Sequence, residues 1–457
     1  MPKKKIALIN PKNPLREGAS LGSLSLATNA AFIPDNYDVV VVNQASGEKI
    51  PRDTKLAAIT VNTVTARNAY NLSEELRRAG IPTVFGGVHP SVQTEEARKY
   101  ASAVVVGEGE TVWDQLLDDF ETGKLEGKLY TPGSFDMAES RLPRRELMGQ
   151  PFMNTLQTSR GCPLGCDFCS VTNLYGSKYK YKPLELVEEE LAPFKGRRVF
   201  LVDDNFFGVG EASAQRAKNL MGLLKKANLK SWMGQTSINI ANNPEILGLA
   251  RESGAAGFYI GFESLSESFL DAMSKRINLR QARKTIAIGE YTEVEAAYAG
   301  AVRTIQDHGI GVFGSFIYGT DHDTNRSLDR LRWFTGKSGM DTAYVKPLTP
   351  LPGTNVYDDF VREGKLFDDT YWMQDNYPVF TFKPKNLSAK DLTRNAERFV
   401  GMYNLPNSLW GAAKTLARTK NPEAAFLSGI SNWGNYASYT AFRRENSDAI
   451  RDTLGSH

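Results

Sequence analysis

The only three cysteines in this chain of 457 residues are Cys162, Cys166 and Cys169. Their spacing is C-x₃-C-x₂-C, within Thr158-Ser-Arg-Gly-Cys-Pro-Leu-Gly-Cys-Asp-Phe-Cys-Ser170. An odd, tightly clustered set is a poor disulfide framework. Three thiolates can instead ligate three irons of a [4Fe–4S] cubane and leave the fourth iron open. An open corner is what a directly bound substrate needs, by the logic that separates catalytic from structural zinc sites. Gly161, Pro163 and Gly165 let such a loop wrap its contents closely, since glycine tolerates positive φ. Zinc is the rival metal, but it would want a fourth ligand nearby. The histidines are only His89, His308, His322 and His457. A non-catalytic iron–sulfur carrier is a second rival, although a carrier normally has four protein ligands.

The elements around this loop form two alternating series. Apolar, β-branched runs at 3–9, 37–43, 56–61, 81–85 and 103–106 alternate with helical patterns, which signals parallel βαβ units. Residues 1–135 therefore read as an open, doubly wound sheet of Rossmann or flavodoxin type, whose ligands bind beyond the carboxyl ends of the strands. Residues 123–150 read as a linker, with the domain boundary at 136–151. A second series has strands at 155–159, 198–203, 230–236, 257–262, 311–317 and 342–347. Six strands with intervening helices over 152–354 predict a partial (β/α)₆ barrel, short of the eight units of a closed one. The long connection Arg276–Tyr291 leaves room for an extra helix or lid. Residues 355–457 read as a mainly helical, aromatic-rich C-terminal domain. The fold class is α/β.

Cys-x₃-Cys-x₂-Cys with the aromatic Phe168, directly after the first strand of a partial barrel, resembles the radical S-adenosylmethionine superfamily. The resemblance implies that the open iron chelates the methionine end of S-adenosylmethionine, and that reduction releases a 5′-deoxyadenosyl radical. It also implies cofactor-binding roles for residues at strand ends. Asp203 and Asp204 fall where the family places an acid for the methionine ammonium. Gln235 and Ser237 could reach its carboxylate or ribose, and Glu263 falls where relatives use a polar side chain. Ile317 and Gly319 belong to a segment similar to the one that packs on adenine.

Val84-Phe-Gly-Gly-Val-His-Pro90, followed by Val106-Gly-Glu-Gly-Glu-Thr111, resembles the cobalamin-binding domain fused to one large radical subgroup. The resemblance implies corrinoid contacts from Asn10, Pro11, Pro14, Thr63, Gly86, Gly87, Val88, Gly107, Glu108, Gly109 and Glu110. Many cobalamin proteins carry an Asp-x-His-x-x-Gly loop after the first strand, supplying an axial imidazole. Here that place reads Asn10-Pro-Lys-Asn-Pro-Leu. A nicotinamide site is weakly supported, because Gly107-Glu-Gly-Glu lacks the third glycine of the dinucleotide fingerprint.

The expected activity is cobalamin-dependent C-methylation of an unactivated carbon in a small-molecule, lipid or tetrapyrrole substrate. A second S-adenosylmethionine would remethylate the cobalt, and a donor such as flavodoxin or ferredoxin would supply the electron. The alternative keeps the radical start without methyl transfer: cyclisation, rearrangement or dehydrogenation. A second cluster for methylthiolation would need more cysteines. The formal charge of +3 argues against a nucleic-acid partner. The opening MPKKKIALINP is too short in apolar residues for a secretory or spanning segment, so a cytoplasmic, soluble enzyme is expected.

Overall fold

The computed structural model describes residues 2–14, 23–149, 151–374 and 377–445, with backbone alone for 441–445. The expected helix from Leu21 and the helical tail to 452 lie partly outside these residues.

Six strands make the first sheet: β1 (Lys4–Asn10), β2 (Tyr37–Asn43), β3 (Thr54–Thr60), β4 (Thr83–Gly86), β5 (Ala103–Val105) and β6 (Lys128–Tyr130). All pairs are parallel, in the order β2-β1-β3-β4-β5-β6. Successive side chains of a strand point to opposite faces. Accordingly Ala7, Ile9, Ala57, Ile59 and Phe85 enter one core, while Ile6, Leu8, Leu56 and Val84 enter the other. Burial on both faces explains why these strands read as continuous apolar runs rather than alternating ones. The chain reverses direction across the sheet between β1 and β3, the switch point where open α/β sheets bind ligands.

β6 corrects the linker reading. Lys128–Tyr130 looks polar because it is an edge strand, yet its Tyr130 is buried, as are Phe135 and Met137 beyond it. The amphipathic helix Trp113–Glu121, absent from the sequence reading, packs Trp113, Leu116 and Leu117 beneath the sheet.

The second sheet comprises β7 (Asn154–Leu156), β10 (Arg198–Leu201), β11 (Ser231–Thr236), β12 (Ala255–Glu263), β13 (Gly311–Tyr318) and β14 (Thr342–Pro347). Its order is β14-β13-β12-β11-β10-β7, again all parallel. A small antiparallel pair, β8 (Ser159–Arg160) and β9 (Lys180–Tyr181), brackets the cysteine loop. This is the expected six-stranded partial barrel. Its outward side chains, among them Trp232, Phe258, Phe262 and Phe316, pack on the surrounding helices. A separate apolar group holds Met153, Met233, Ala256 and Phe313, with Leu427 from the C-terminal helix Pro422–Glu445 against them. That plug floors the barrel and leaves the carboxyl ends of the strands for the site. The long connection does carry an extra helix, Arg276–Ala282.

The C-terminal part is more than a cap. Tyr371 and Trp372 insert into the first domain's core, and Trp372 Nε1 donates to Glu96 at 2.9 Å. Glu96 also accepts from Tyr70 at 2.8 Å and lies 3.3 Å from His89 Nε2.

Candidate active site

β7 and β8 run directly into the cysteine loop, whose shape depends on two left-handed glycines. Gly161 has φ +87°, and a Cβ there would stand 2.5 Å from the Lys178 carbonyl, so no side chain fits. Gly165 has φ +59°. The loop is stapled at both ends. Gly161 N–H donates to Asp204 Oδ2 at 2.9 Å, and the Asp167 carboxylate accepts from Ser274 at 2.6 Å and Asn355 at 2.7 Å. All three thiols are free and partly accessible. Burial pushes each up from its ordinary value, Cys166 to about 11. Opposing that, the buried Lys275 ammonium favours all three thiolates. Lys275 was not evident from sequence; no local signal separates it from surface lysines, because its burial comes from the turn after Met273.

Two strand-end acids serve the structure itself. Asp203 is fully buried and accepts from Thr158 N–H and Oγ1, both at 2.5 Å, and from Ser159 N–H at 3.1 Å and Oγ at 3.0 Å. Four donors saturate the carboxylate, so it fixes the strand entering the cysteine loop and is not open to a methionine ammonium. Its neighbour Asp204, only partly buried, is the acid of the pair that remains accessible. Glu263 sits at φ +64° on a bulge of β12 and receives Lys275 Nζ at 2.8 Å. The expected cofactor-facing carboxylate is therefore the counter-ion of Lys275, whose Nζ also lies 5.8 Å from the centre of the Phe168 ring.

Other expected residues divide similarly. Gln235 is exposed at the end of β11, whereas Ser237 is buried as the cap of the next turn. Ile317 and Phe168 pack in one apolar group with Met273 and Leu348, and Gly319 directly follows β13 at φ +76°.

Between the two domains lies a cavity of about 270 Å³. Gly86, Gly87, Gly107 and Gly109 line it from the first domain, and Gln157, Arg160, Tyr175 and Val202 face them from the barrel. Ser91 holds two of its loops, accepting from Gly107 N–H at 2.8 Å and donating to the Gly87 carbonyl at 2.7 Å. Gly87 has φ +106°, and a Cβ would meet the Val61 carbonyl at 2.8 Å. Glu108 and Glu110 line this cavity, but their carboxylates are occupied. Arg160 Nη1 pairs with Glu108 at 2.8 Å and Nη2 pairs with Glu110. Lys180 also pairs with Glu108, and Phe135 N–H donates to it at 2.8 Å. The acids expected to hold a corrinoid instead bind the domains together, one residue before Gly161. Asn10, Pro11, Pro14, Thr63 and Val88 are not among the cavity's lining. Asn10 donates to Asn43 at 3.1 Å. Fully buried His89 lies 3.3 Å from Thr63 and 3.0 Å from Tyr70, which makes it a core residue.

The donors fit the groups this geometry implies. Three thiols in one loop suit a cubane with three protein-bound irons. Among the described residues, no three His, Cys, Asp or Glu side chains approach closely enough to chelate a single ion. Asn205, 3% exposed, has neither side-chain polar atom hydrogen-bonded, yet its amide stands beside Cys162 and favours the thiolate. The Tyr179 hydroxyl, buried beside Asn205, likewise makes no hydrogen bond of full geometry. Such groups are costly unless something accepts from them, and a charged sulfur ligand would. On the other side, Gly86, Gly87, Gly107 and Gly109 leave the strand ends without side chains where a flat ligand would lie against backbone.

A six-stranded open barrel whose first strand enters a three-cysteine loop defines a radical S-adenosylmethionine core, and residues 156–332 match the model of the Radical SAM superfamily. The barrel is thus a Radical SAM domain, and that family implies a [4Fe–4S] cluster and S-adenosylmethionine. Bacteriochlorophyllide d C-12(1)-methyltransferase of Chlorobaculum tepidum is 29% identical over 419 residues, covering 86% of each chain. The fold is similar to two solved structures. One is the cobalamin-dependent S-adenosylmethionine radical enzyme OxsB, with TM-score 0.65 and 14% identity over 97% of this chain and 76% of that one. The other is the radical methyltransferase TsrM of Kitasatospora setae, with TM-score 0.64 and 15% identity over 98% of this chain and 100% of that one.

Proposed function

We propose that the protein is a cobalamin-dependent radical C-methylase acting on an unactivated carbon of an apolar small molecule, lipid or tetrapyrrole. The observation that carries this reading is the interdomain cavity, whose glycine-lined loops face the residues flanking the cysteine loop. It is supported by the methyltransferase named above, similar over 86% of the chain, and by the whole-chain likeness in fold to OxsB and TsrM. When bound, the cluster, S-adenosylmethionine and methylcobalamin would supply the radical and the methyl group, the hard chemistry that cofactors carry.

The chain's residues supply placement. Cys162, Cys166 and Cys169 would hold the cluster, with the buried Lys275 compensating thiolate charge. Asp204 and Gln235 are the accessible polar groups for the methionine end and the ribose. Gly86, Gly87, Gly107 and Gly109 bring backbone against the macrocycle, and Arg160 fixes the spacing between the two sites. Holding reactants in register is itself a large part of such catalysis. His89 is buried and committed to Tyr70 and Glu96, so it would not be the residue that holds a corrinoid. A flavodoxin- or ferredoxin-type donor in the cytoplasm would deliver the electron.

Anaerobic purification with corrinoid supplied tests the reading. Roughly stoichiometric corrinoid and deuterium-labelled methyl transfer from S-adenosylmethionine to product are expected. Cleavage to 5′-deoxyadenosine with no corrinoid bound and no methylated product would transfer the assignment to a cyclase or dehydrogenase.

A further inference from the structure

The C-terminal hairpin, helix Leu405–Thr419 followed by helix Pro422–Glu445, is apolar where it should be polar. Leu405, Leu409, Trp410 and Leu416 are 47%, 64%, 63% and 45% exposed on the first helix, and Phe426, Ile430 and Trp433 are 43%, 45% and 41% exposed on the second. Leu405, Leu409 and Leu416 fall on one stripe by helical spacing, as do Phe426, Ile430 and Trp433. The second stripe lies opposite Ala424, Leu427 and Ser428, which are buried against the barrel. That helix is therefore apolar on both sides. The two helices pack closely, with Gly429 against Ala412 and Gly411 against Asn432. Soluble surfaces rarely collect large apolar side chains this densely unless they dock on something.

Charge indicates the partner. From Asn404 to Pro422 the sequence carries Lys414, Arg418 and Lys420 and no carboxylate. These nineteen residues hold a charge of +3, equal to the formal charge of the whole chain. Lys414 lies over the Trp410 ring at 5.2 Å, so a cation and an interfacial aromatic sit side by side. The first carboxylate beyond, Glu423, is taken by Arg198 at 2.7 Å. Exposed leucine and tryptophan flanked by lysine and arginine is the pattern of a helix lying in a headgroup layer. No helix among the described residues is long and apolar enough to cross a membrane, so the mode is lying on the surface.

We propose that this hairpin docks the enzyme on an anionic lipid surface. A cavity of about 290 Å³ lies beside it, between the free edge strand β14 and the helices Ala389–Gly401 and Pro422–Glu445. Tyr318, Tyr344, Phe399, Tyr403 and Tyr439 line it. Lys346, Pro347 and Thr349 carry this cavity to the carboxyl end of β14, the side of the barrel that holds the site. A membrane-borne, ring-containing apolar substrate would thus pass from the lipid, past aromatic walls, to the barrel. That last step rests on the methylase reading; the docking does not.

Sedimentation of the full-length, anaerobically purified protein with phosphatidylcholine vesicles, with and without phosphatidylglycerol, tests the docking without any turnover. Binding that requires phosphatidylglycerol and falls in high salt is expected. Leu409→Asp/Trp410→Ser should weaken it at least tenfold with iron content unchanged, and Lys414→Glu/Lys420→Glu should abolish the preference for anionic lipid. Trp433→Ser, on the other helix, gives an independent reading should the first variant fold poorly. Absence of wild-type binding, or unchanged binding in these variants, overturns the proposal. So does a wild-type dimer that ignores vesicles and becomes a monomer in Leu409→Asp/Trp410→Ser, since the face would then belong to a second copy.

Discussion

The cysteine loop and the interdomain cavity are the two proposed cofactor sites, and they are built in opposite ways. The loop compresses its ligands into eight consecutive residues and needs the rest of the fold only to hold them. The cavity draws on the ends of several strands from two domains, and no single side chain in it is diagnostic. Chemistry requiring a covalent bond to metal fixes residue types; chemistry requiring a large flat surface fixes only where side chains must be absent. A single substitution should therefore destroy the first site and merely deform the second.

Cys166→Ala is the largest break. Loss of cluster iron, sulfide and S-adenosylmethionine cleavage together is expected, while corrinoid binding, read by absorbance, survives. Retention of the cluster would refute the ligand assignment.

Arg160→Met attacks the join between the sites and should affect both. It leaves Glu108 with Lys180 and the Phe135 N–H, and takes from buried Glu110 the cation it pairs with; breaking a buried pair on one side costs about 3–5 kcal/mol. The thermal unfolding midpoint should fall, and Glu108→Gln/Glu110→Gln added to Arg160→Met should recover most of it. The same join gives a pH dependence. Burial raises the Glu108 carboxyl, but Lys180 and Arg160 overcome this and leave it below its ordinary value. A depressed carboxylate stabilises the fold above its unfolded pKa, about 4.3, and that contribution disappears as pH falls through the lower, folded value. Acid unfolding of wild type should steepen below about pH 4.3 relative to Glu108→Gln; superimposable acid transitions would show that the pair carries no linkage.

Gly87→Val sharpens the contrast from the cavity side. A side chain there collides with the Val61 carbonyl and forces a left-handed backbone, costing about 1–3 kcal/mol. Corrinoid occupancy should drop while cluster content holds. Equal loss of both would mean that the two sites are not separable.

What was legible in the sequence follows the same division. The partial barrel, the doubly wound sheet and the three ligands could be read because periodicity and contiguous spacing are local properties. Glu108, Glu110 and Glu263 read as cofactor contacts through resemblance to family segments. Arg160, 52 and 50 residues from the first two, and Lys275, 12 from the third, meet them only after folding. Asp203 followed the same course: its position was right, but four donors from Thr158 and Ser159 were invisible until β7 and β10 paired. β6 escaped because an edge strand of three residues has too little pattern to register.

Asn205→Leu produces the smallest effect and distinguishes a group that serves the cofactor from one that serves the fold. Its amide is buried with no protein hydrogen bond of full geometry, only its approach to Cys162 and Tyr179, so a leucine of the same branching removes a poorly compensated polar group and should leave apoprotein stability about unchanged. With the cluster present, the direction reverses. A hydrogen bond to a ligand sulfur stabilises the more negative, reduced state and raises the potential. Losing it should therefore make reduction harder, by about a tenfold lower reduced-to-oxidised ratio at a fixed poise, or ~59 mV for one electron. Spectroscopic redox titration reads this independently of turnover. A potential unchanged by the substitution, with apoprotein stability falling instead, would make Asn205 a structural residue whose partner lies elsewhere.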